Sequence, residues 1–352
     1  MKKKYLSFGI VIVILILALA ILTLYNLQSE DVEYHENISI AITGDVMFAR
    51  KMPSVLDSGV DPFKNVKNVT SSADLLLLNF ENPATNAELN YKHTIPIKSN
   101  PKYTHLAKAN NKTVVALSNN HIFDYGDIGY EDTIKTLKEN DILYLGAGHN
   151  IDEATKPVTL EIKDRKITIL NYMDQNNFKE FSQSELPIST KNSSGYAPIN
   201  WDIIQKDLTE NNDSDMVIVF LHYGNEYSRT PNNNQVDISH KLIDNGADIV
   251  VGAHPHVSQG IETYKNKTIF YSLGNFIFDQ SNPATHIAMF LELKLVNSEC
   301  EIIVHPIYIS NYLPTFMDAS SAQQLLVGLN PQPTKMNITS SGKGILSFSL
   351  DN

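Results

Sequence analysis

Five times along this chain a short apolar run is followed at once by side chains able to bind a metal ion or move a proton. The runs are Ile38–Thr43, Asp74–Phe80, Thr113–Leu117, Met216–Leu221 and Ile249–Val251. The groups behind them are, in order, Asp45, Glu81, Asn120 with His121, His222, and His254 with His256. Short β-branched and leucine-rich runs bounded by Gly, Asn or Pro read as buried strands. Helical patterns stand between several of them, at 101–111, Glu131–Glu139, Trp201–Leu208 and Asn232–Gly246, the last stopped by glycine. Strands alternating with helices build α/β folds, whose sites lie outside the carboxyl ends of the strands. One rim of one sheet is therefore expected to gather these polar groups.

Further runs complete the pattern. Ile142–Leu145 and Thr268–Tyr271 read as strands, and Pro157–Ile162 with Lys166–Tyr172 reads as a hairpin around Lys163-Asp-Arg165. A second hairpin is expected at 286–296 and 300–309, then a helix at 318–330 and a last strand at 343–350. Hairpins beside βα alternation predict a mixed sheet, not a purely parallel one. Residues 173–198 are polar and featureless, which predicts a surface insertion.

The segment His254-Pro255-His256 is the sharpest of the site candidates. In extended backbone residues i and i+2 point the same way, and proline restricts the residue before it to extended conformations. Both imidazoles are thus expected to converge on one point. Gly44 before Asp45 is expected to let the chain turn. Singly, each group has a plainer role: Asp45 as a helix cap, Asn120 as a turn residue, Arg50 in a surface ion pair. Together, mixed oxygen and nitrogen donors without cysteine suit Zn²⁺, Mn²⁺ or Fe rather than Mg²⁺ alone. Asp45, Glu81, Asn120, His222, His254 and His256 exceed the needs of one tetrahedral ion, so one or two ions are expected. A two-metal site activates a bridging water for displacement at phosphorus or carbon, and His121 is placed to protonate the leaving group.

Residues 5–25 form an uncharged apolar run long enough to cross a bilayer as a helix. Lys2, Lys3 and Lys4 precede it, so residues 1–4 are expected in the cytoplasm, 5–25 in the membrane, 26–37 as a linker and 38–352 outside the cell. A cleaved signal peptide has a shorter apolar core. Cys300 is the only cysteine, so the exported part stands without an internal disulfide. Setting aside the three anchor lysines, the 28 basic residues become 25 against 39 acidic ones, a balance of −14. That argues against nucleic acid as a partner, and a polyanion would be repelled unless a metal or basic patch inverted the local field.

In order along the chain, GDVMFAR, NFENP, SNNHIFDYGDIGYEDTIKTL, the GAG at Gly146–Gly148, HYGNEY, GAHPHVSQGIE and YSLGNFIFDQ resemble the CapA family of bacterial poly-γ-glutamate capsule biosynthesis. The resemblance covers residues 38 to about 280. It implies a calcineurin-like metallophosphoesterase fold, a four-layer α/β/β/α sandwich with metals at strand ends. It further implies membrane-bound capsule synthase subunits as partners and an anionic polymer or small phosphate-like substrate. Asp45 then resembles a metal ligand, Glu81 a bridging carboxylate, and Asn120 with His121 the ligand and proton donor. His222, His254 and His256 take the remaining imidazole places. Arg50, Asn79, Glu226, Gln259 and Asn275 lie in the same motifs and are the candidates for contacting substrate. One departure is Met47, which stands where the wider superfamily carries a histidine ligand and leaves one metal position short of a nitrogen.

Overall fold

Leu75–Phe80 and Met216–His222 are buried at every position, as strands in the middle of a covered sheet must be. They belong to two different sheets. A computed structural model describes residues 35–88, 95–177, 186–330 and 336–350. Among these residues, ten strands form a larger sheet and six a smaller one. The single sheet read from the strand pattern is corrected to two, both mixed; the family resemblance implied two β layers.

In the larger sheet the strands run in the order Asn337–Ile338, Gly344–Ser349, Glu299–Ser310, Ile287–Val296, Ile38–Val46, Leu75–Phe80, Thr113–Ala116 and Leu143–Leu145. From Ile38–Val46 onward the pairing is parallel, and Asn275–Ile277 adds in parallel beside the end of that strand. On the other side the hairpin Ile287–Val296 and Glu299–Ser310 pairs antiparallel. The smaller sheet runs Ile261–Tyr264, Lys267–Phe270, Ile249–Ala253, Met216–His222, Arg165–Met173 and Val158–Ile162. Its four inner strands are parallel and each edge is an antiparallel hairpin.

Alternate residues divide the core, because side chains along a strand point to opposite faces. Ile40, Ile42, Leu75, Leu77 and Val114 from the larger sheet meet Ile167, Ile169, Ile218, Phe220, Ile249 and Val251 from the smaller. The intervening Ala41, Leu76, Leu78 and Val115 pack outward on Phe48, Phe63, Tyr130, Ile134 and Leu137. Likewise Val217, Val219, Leu221 and Val250 pack on Ile204, Leu208, Ile238 and Leu242 of the helices Trp201–Glu210 and Asn233–Asp244. The helices therefore cover the outer faces and the sheets face one another. Their starts are fixed by side-chain caps: Asn200 accepts from the amides of Asp202 and Ile203, and Asn232 forms a capping box with Gln235.

Three sequence expectations shift. The 101–111 segment is a 3₁₀ helix over Pro101–Ala107, capped by Asn100. The helix expected at Glu131–Glu139 starts at Gly126, and Gly129 in its first turn packs so closely that a Cβ there would meet the Tyr125 Cβ at 2.6 Å. The 173–198 insertion is not featureless: Gly195–Tyr196 pairs with Ala147–Gly148, and Tyr196 is fully buried against Met173. Ser118 donates its hydroxyl to the Ala197 carbonyl (2.8 Å), so this segment buttresses the loop that carries Asn120. The apolar run 5–25 lies outside the described residues, as does the linker up to residue 34. Among the described residues no helix is long and apolar enough to cross a membrane.

Candidate metal centre

Asp45 reaches the rim because the chain around it is drawn tight. Its amide donates to the Gly274 carbonyl at 3.1 Å, and a Cβ on Gly44 would lie 1.8 Å from that same oxygen. Gly44 is thus required for close approach of two strands, and the turning role expected of it is corrected. Asp45, Asn79 and Asn275 sit side by side across three parallel strands. Asn79 donates Nδ2 to Asp45 Oδ1 (2.7 Å) and toward His222 Nδ1 (3.3 Å), while its own Oδ1 accepts from Asn119 Nδ2 (3.2 Å). Asn119 in turn accepts from the amides of His121 (3.1 Å) and Ile122 (3.0 Å), which shapes the loop behind Asn120.

At the other sheet, His222 ends one strand, and the loop after Ala253 brings in His254 and His256. Both histidines have left-handed backbone, φ 95° and 60°. The expected extended Pro255 segment is therefore corrected, and with it the convergence of the two rings on one point. The Tyr227 amide holds the Pro255 carbonyl at 2.8 Å and pulls the segment out of the strand. Non-glycine residues in this region cost about 1–3 kcal/mol each and persist where the surroundings fix them. The rings end 6.3 Å apart, centre to centre, and enter different ligand sets.

In one set, single donor atoms of Glu81, His222 and His254 lie within 4.8 Å of one another; in the other, those of Asp45, Glu81 and His256 do. Glu81 is common to both. His222 Nε2 is 2.8 Å from Asn120 Oδ1, 3.1 Å from His254 Nδ1 and 3.7 Å from Glu81 Oε1. His256 Nδ1 faces two oxygens, Asp45 Oδ2 at 3.1 Å and Asn275 Oδ1 at 2.9 Å, so it carries the proton. Its Nε2 is left toward Glu81 Oε1, 3.9 Å away.

Glu81 tests whether these residues suit a cation. Both of its oxygens are fully buried and accept no hydrogen bond. Buried carboxylates are otherwise paired, hydrogen-bonded or bound to metal. Burial, then the charges of Asp45 and Glu226, raises its pKa well above the usual carboxylate range. Burial, reinforced by His254, His256 and His121, holds His222 well below the usual imidazole value and hence neutral. A buried carboxylate without a donor, ringed by imidazoles and an amide oxygen, is a donor set able to hold a metal ion.

His121 stands beside this cluster, its Nδ1 2.7 Å from Asp124 Oδ2, which also accepts from the Ile97 amide (2.7 Å). Asp124 was not singled out in the sequence, although its i+3 spacing from His121 carries the signal.

The chain matches the model of the bacterial capsule synthesis protein PGA_cap over residues 39–280. It is a member of the CapA family. It is 31% identical over 318 residues to the capsule biosynthesis protein CapA of Bacillus anthracis, covering 86% of this chain and 76% of that protein. It is 32% identical over 295 residues to the PGA biosynthesis protein CapA of Bacillus subtilis strain 168, covering 82% and 76%. Solved structures similar to it include a hypothetical protein from Thermus thermophilus (TM-score 0.46, 15% identity, 79% of this chain and 96% of that one). Another is the calcineurin-like phosphoesterase YfkN from Bacillus subtilis (TM-score 0.41, 12% identity, 89% and 91%).

In this CapA-family chain the residues expected to touch substrate divide. Asn79 and Asn275 are buried and spend their amides on Asp45, His222, His256 and Gln280, so both hold neighbouring side chains of the cluster in place. Gln259 is also buried; it accepts from Gln235 Nε2 (2.8 Å) and donates to the Ser228 carbonyl (2.8 Å), which pins the loop at the mouth. In this structure the amides of all three are engaged by neighbouring protein groups. Glu226 is exposed on that loop. Arg50 has left-handed backbone (φ 53°), pairs with buried Asp279 and lies over the Phe278 ring, 5.2 Å from its centre. That ring packs on His256, with centres 4.9 Å apart, so the Arg50 guanidinium flanks the Asp45–His256 side. Met47 is fully buried in the outer apolar cluster and supplies no ligand.

Proposed function

We propose that this chain is a membrane-anchored, extracytoplasmic component of poly-γ-glutamate capsule biosynthesis or export that carries a metallophosphoesterase-type metal centre. The fold assignment is the four-layer α/β/β/α sandwich of that type, tethered by the 5–25 run. Support for the pathway comes from family membership and from relatives whose names describe capsule and PGA biosynthesis. Support for the metal centre comes from one observation above all, the buried Glu81 carboxylate without a hydrogen-bond donor between two histidine-bearing sets.

Metal ligands in this reading are Asp45, Glu81, Asn120, His222, His254 and His256. When bound, the ion supplies Lewis-acid charge and an activated water for displacement at phosphorus or carbon. Asn79 and Asn275 fix Asp45, His222 and His256 in their ligating orientation. Asp124 accepts from His121 Nδ1–H and would hold the doubly protonated ring, whose Nε2–H is the proton given to a departing oxygen, the neutral Nδ1–H imidazole being left behind. Membrane-bound synthase subunits are the partners. The −14 balance of the exported part favours a second reading, hydrolysis of a small phosphate-like substrate in place of contact along a polyanion.

The test is a double substitution, His254→Ala with His256→Ala, in the full chain. Wild type is expected to keep one to two equivalents of transition metal through desalting and to hydrolyse an aryl phosphate; the variant loses both while keeping its circular dichroism. Loss of cell-bound polyglutamate in the same variant supports the capsule role. Metal without turnover would overturn hydrolysis and leave a binding scaffold, and unchanged capsule would favour the small-substrate reading.

A further inference from the structure

We infer that the two halves of the centre are unequal: one resident divalent ion sits at Glu81, Asn120, His222 and His254, and a second enters at Asp45 and His256 only together with a phosphate-like dianion. This rests on reading the cluster as a metal centre. Four donor atoms converge on the first half: His222 Nε2 has Asn120 Oδ1, His254 Nδ1 and Glu81 Oε1 at 2.8, 3.1 and 3.7 Å. Two imidazoles, an amide oxygen and a carboxylate fill a four-coordinate shell for a borderline ion.

The other half is poorer. Its donors are Asp45, His256 and the shared Glu81. Both oxygens of Asp45 already face donors, Asn79 Nδ2 at 2.7 Å and His256 Nδ1 at 3.1 Å. Asn275 alongside is spent on His256 and Gln280, and Met47 is packed into the apolar core. Three protein donors, two of them carboxylates, suit a hard ion with open positions that oxygen ligands must complete.

Charge points the same way. Paired ions in such sites stand about 3.5–4 Å apart and repel strongly in a buried setting. Two dications against the ligating carboxylates of Glu81 and Asp45 leave two positive charges on the ligand set; Glu226, whose charge also reaches Glu81, is exposed and screened by solvent. Arg50 beside this half is already balanced by Asp279, so the nearby pair supplies no counter-charge. A phosphate dianion carries the two negative charges that are missing and offers oxygens for the open positions. The second ion and the anion therefore stabilise one another, and by linkage each must raise the other's affinity by the same factor.

The experiment is a Mn²⁺ titration of the full chain followed by electron paramagnetic resonance and elemental analysis, with and without inorganic phosphate. One equivalent is expected to survive desalting. The second is expected to bind at least tenfold more tightly with phosphate present, bringing the exchange-coupled signal of paired Mn²⁺ ions. His222→Ala should lose the retained equivalent. Asp45→Asn, close to isosteric, should keep it and lose the coupled signal, so a folding defect in one variant does not decide the matter. Two equivalents of equal affinity, or a second affinity that phosphate leaves unchanged, would overturn the inference while sparing the metal-centre reading. No retained metal in the wild type would overturn both.

Discussion

Replacing Glu81 by glutamine removes one charge and almost no volume, so its effects read the electrostatics of the centre directly. In the metal-free protein Glu81 has two buried oxygens with no donor, and its pKa is raised well above the ordinary 4.5. A raised carboxylate favours the protonated folded form. Below about pH 4.5 both states are protonated and the group costs nothing; the cost accrues as pH rises from there to the raised folded value and is constant above it. Uncompensated burial of a carboxylate costs on the order of several kcal/mol. Glutamine carries no charge, and its amide hydrogens face acceptors on Asp45 and the surrounding imidazoles. Chelator-stripped Glu81→Gln is therefore expected to melt higher than stripped wild type at pH 8, by about 3 °C for each 2 kcal/mol relieved in a chain of this size. The gap should close as pH falls toward 5. Adding Mn²⁺ or Zn²⁺ reverses the order: at a hundredfold excess over Kd, binding stabilises the wild type by about 2.7 kcal/mol and the variant by much less. Differential scanning calorimetry at two pH values, with and without metal, measures all four quantities. A stripped variant less stable than stripped wild type at pH 8, or equal metal shifts in both, would refute the reasoning.

Other consequences concern single groups. His121→Gln should lower kcat for an aryl phosphate by about 10²–10⁴ while metal content stays at the wild-type level, and Asp124→Asn should lower it less and displace the pH–rate profile. Gly44→Ala should destabilise strongly in thermal melts, since its Cβ would lie 1.8 Å from the Gly274 carbonyl. Gln259→Ala should cost about 1–3 kcal/mol of stability by freeing the buried partner Gln235, with bound metal unchanged. Metal uptake should release a proton from Glu81 and none from the already neutral His222, so affinity weakens as pH falls; calorimetry in buffers of differing ionisation enthalpy counts that proton.

The strands and their polar ends were legible because burial imposes a period that local sequence must obey. Met216–His222 and Leu75–Phe80 are apolar and end in chemistry-bearing residues, and their places needed no knowledge of neighbours. Backbone at His254 and His256 was not legible, since only glycine and asparagine advertise left-handed φ, and here a carbonyl held by the Tyr227 amide imposes it. The work of Asn79, Gln259 and Asn275 was hidden for a related reason. An amide has the same sequence signature whether it meets a ligand or a neighbouring side chain, and partners such as Gln235, 24 positions away from Gln259, are set by topology. Division into two sheets was invisible in the strand pattern, which is the same for one sheet or two, and entered only through the family resemblance.

The central claim is that Glu81 joins a metal to His222 and His254. Crystals grown with Mn²⁺ or Zn²⁺ and measured at the absorption edge of the metal test it most directly. An anomalous peak about 2.0–2.3 Å from a Glu81 oxygen, His222 Nε2 and His254 Nδ1 is the predicted result. Density that places the ion elsewhere, or a Glu81 carboxylate bound only by protein donors with metal in excess, would contradict it.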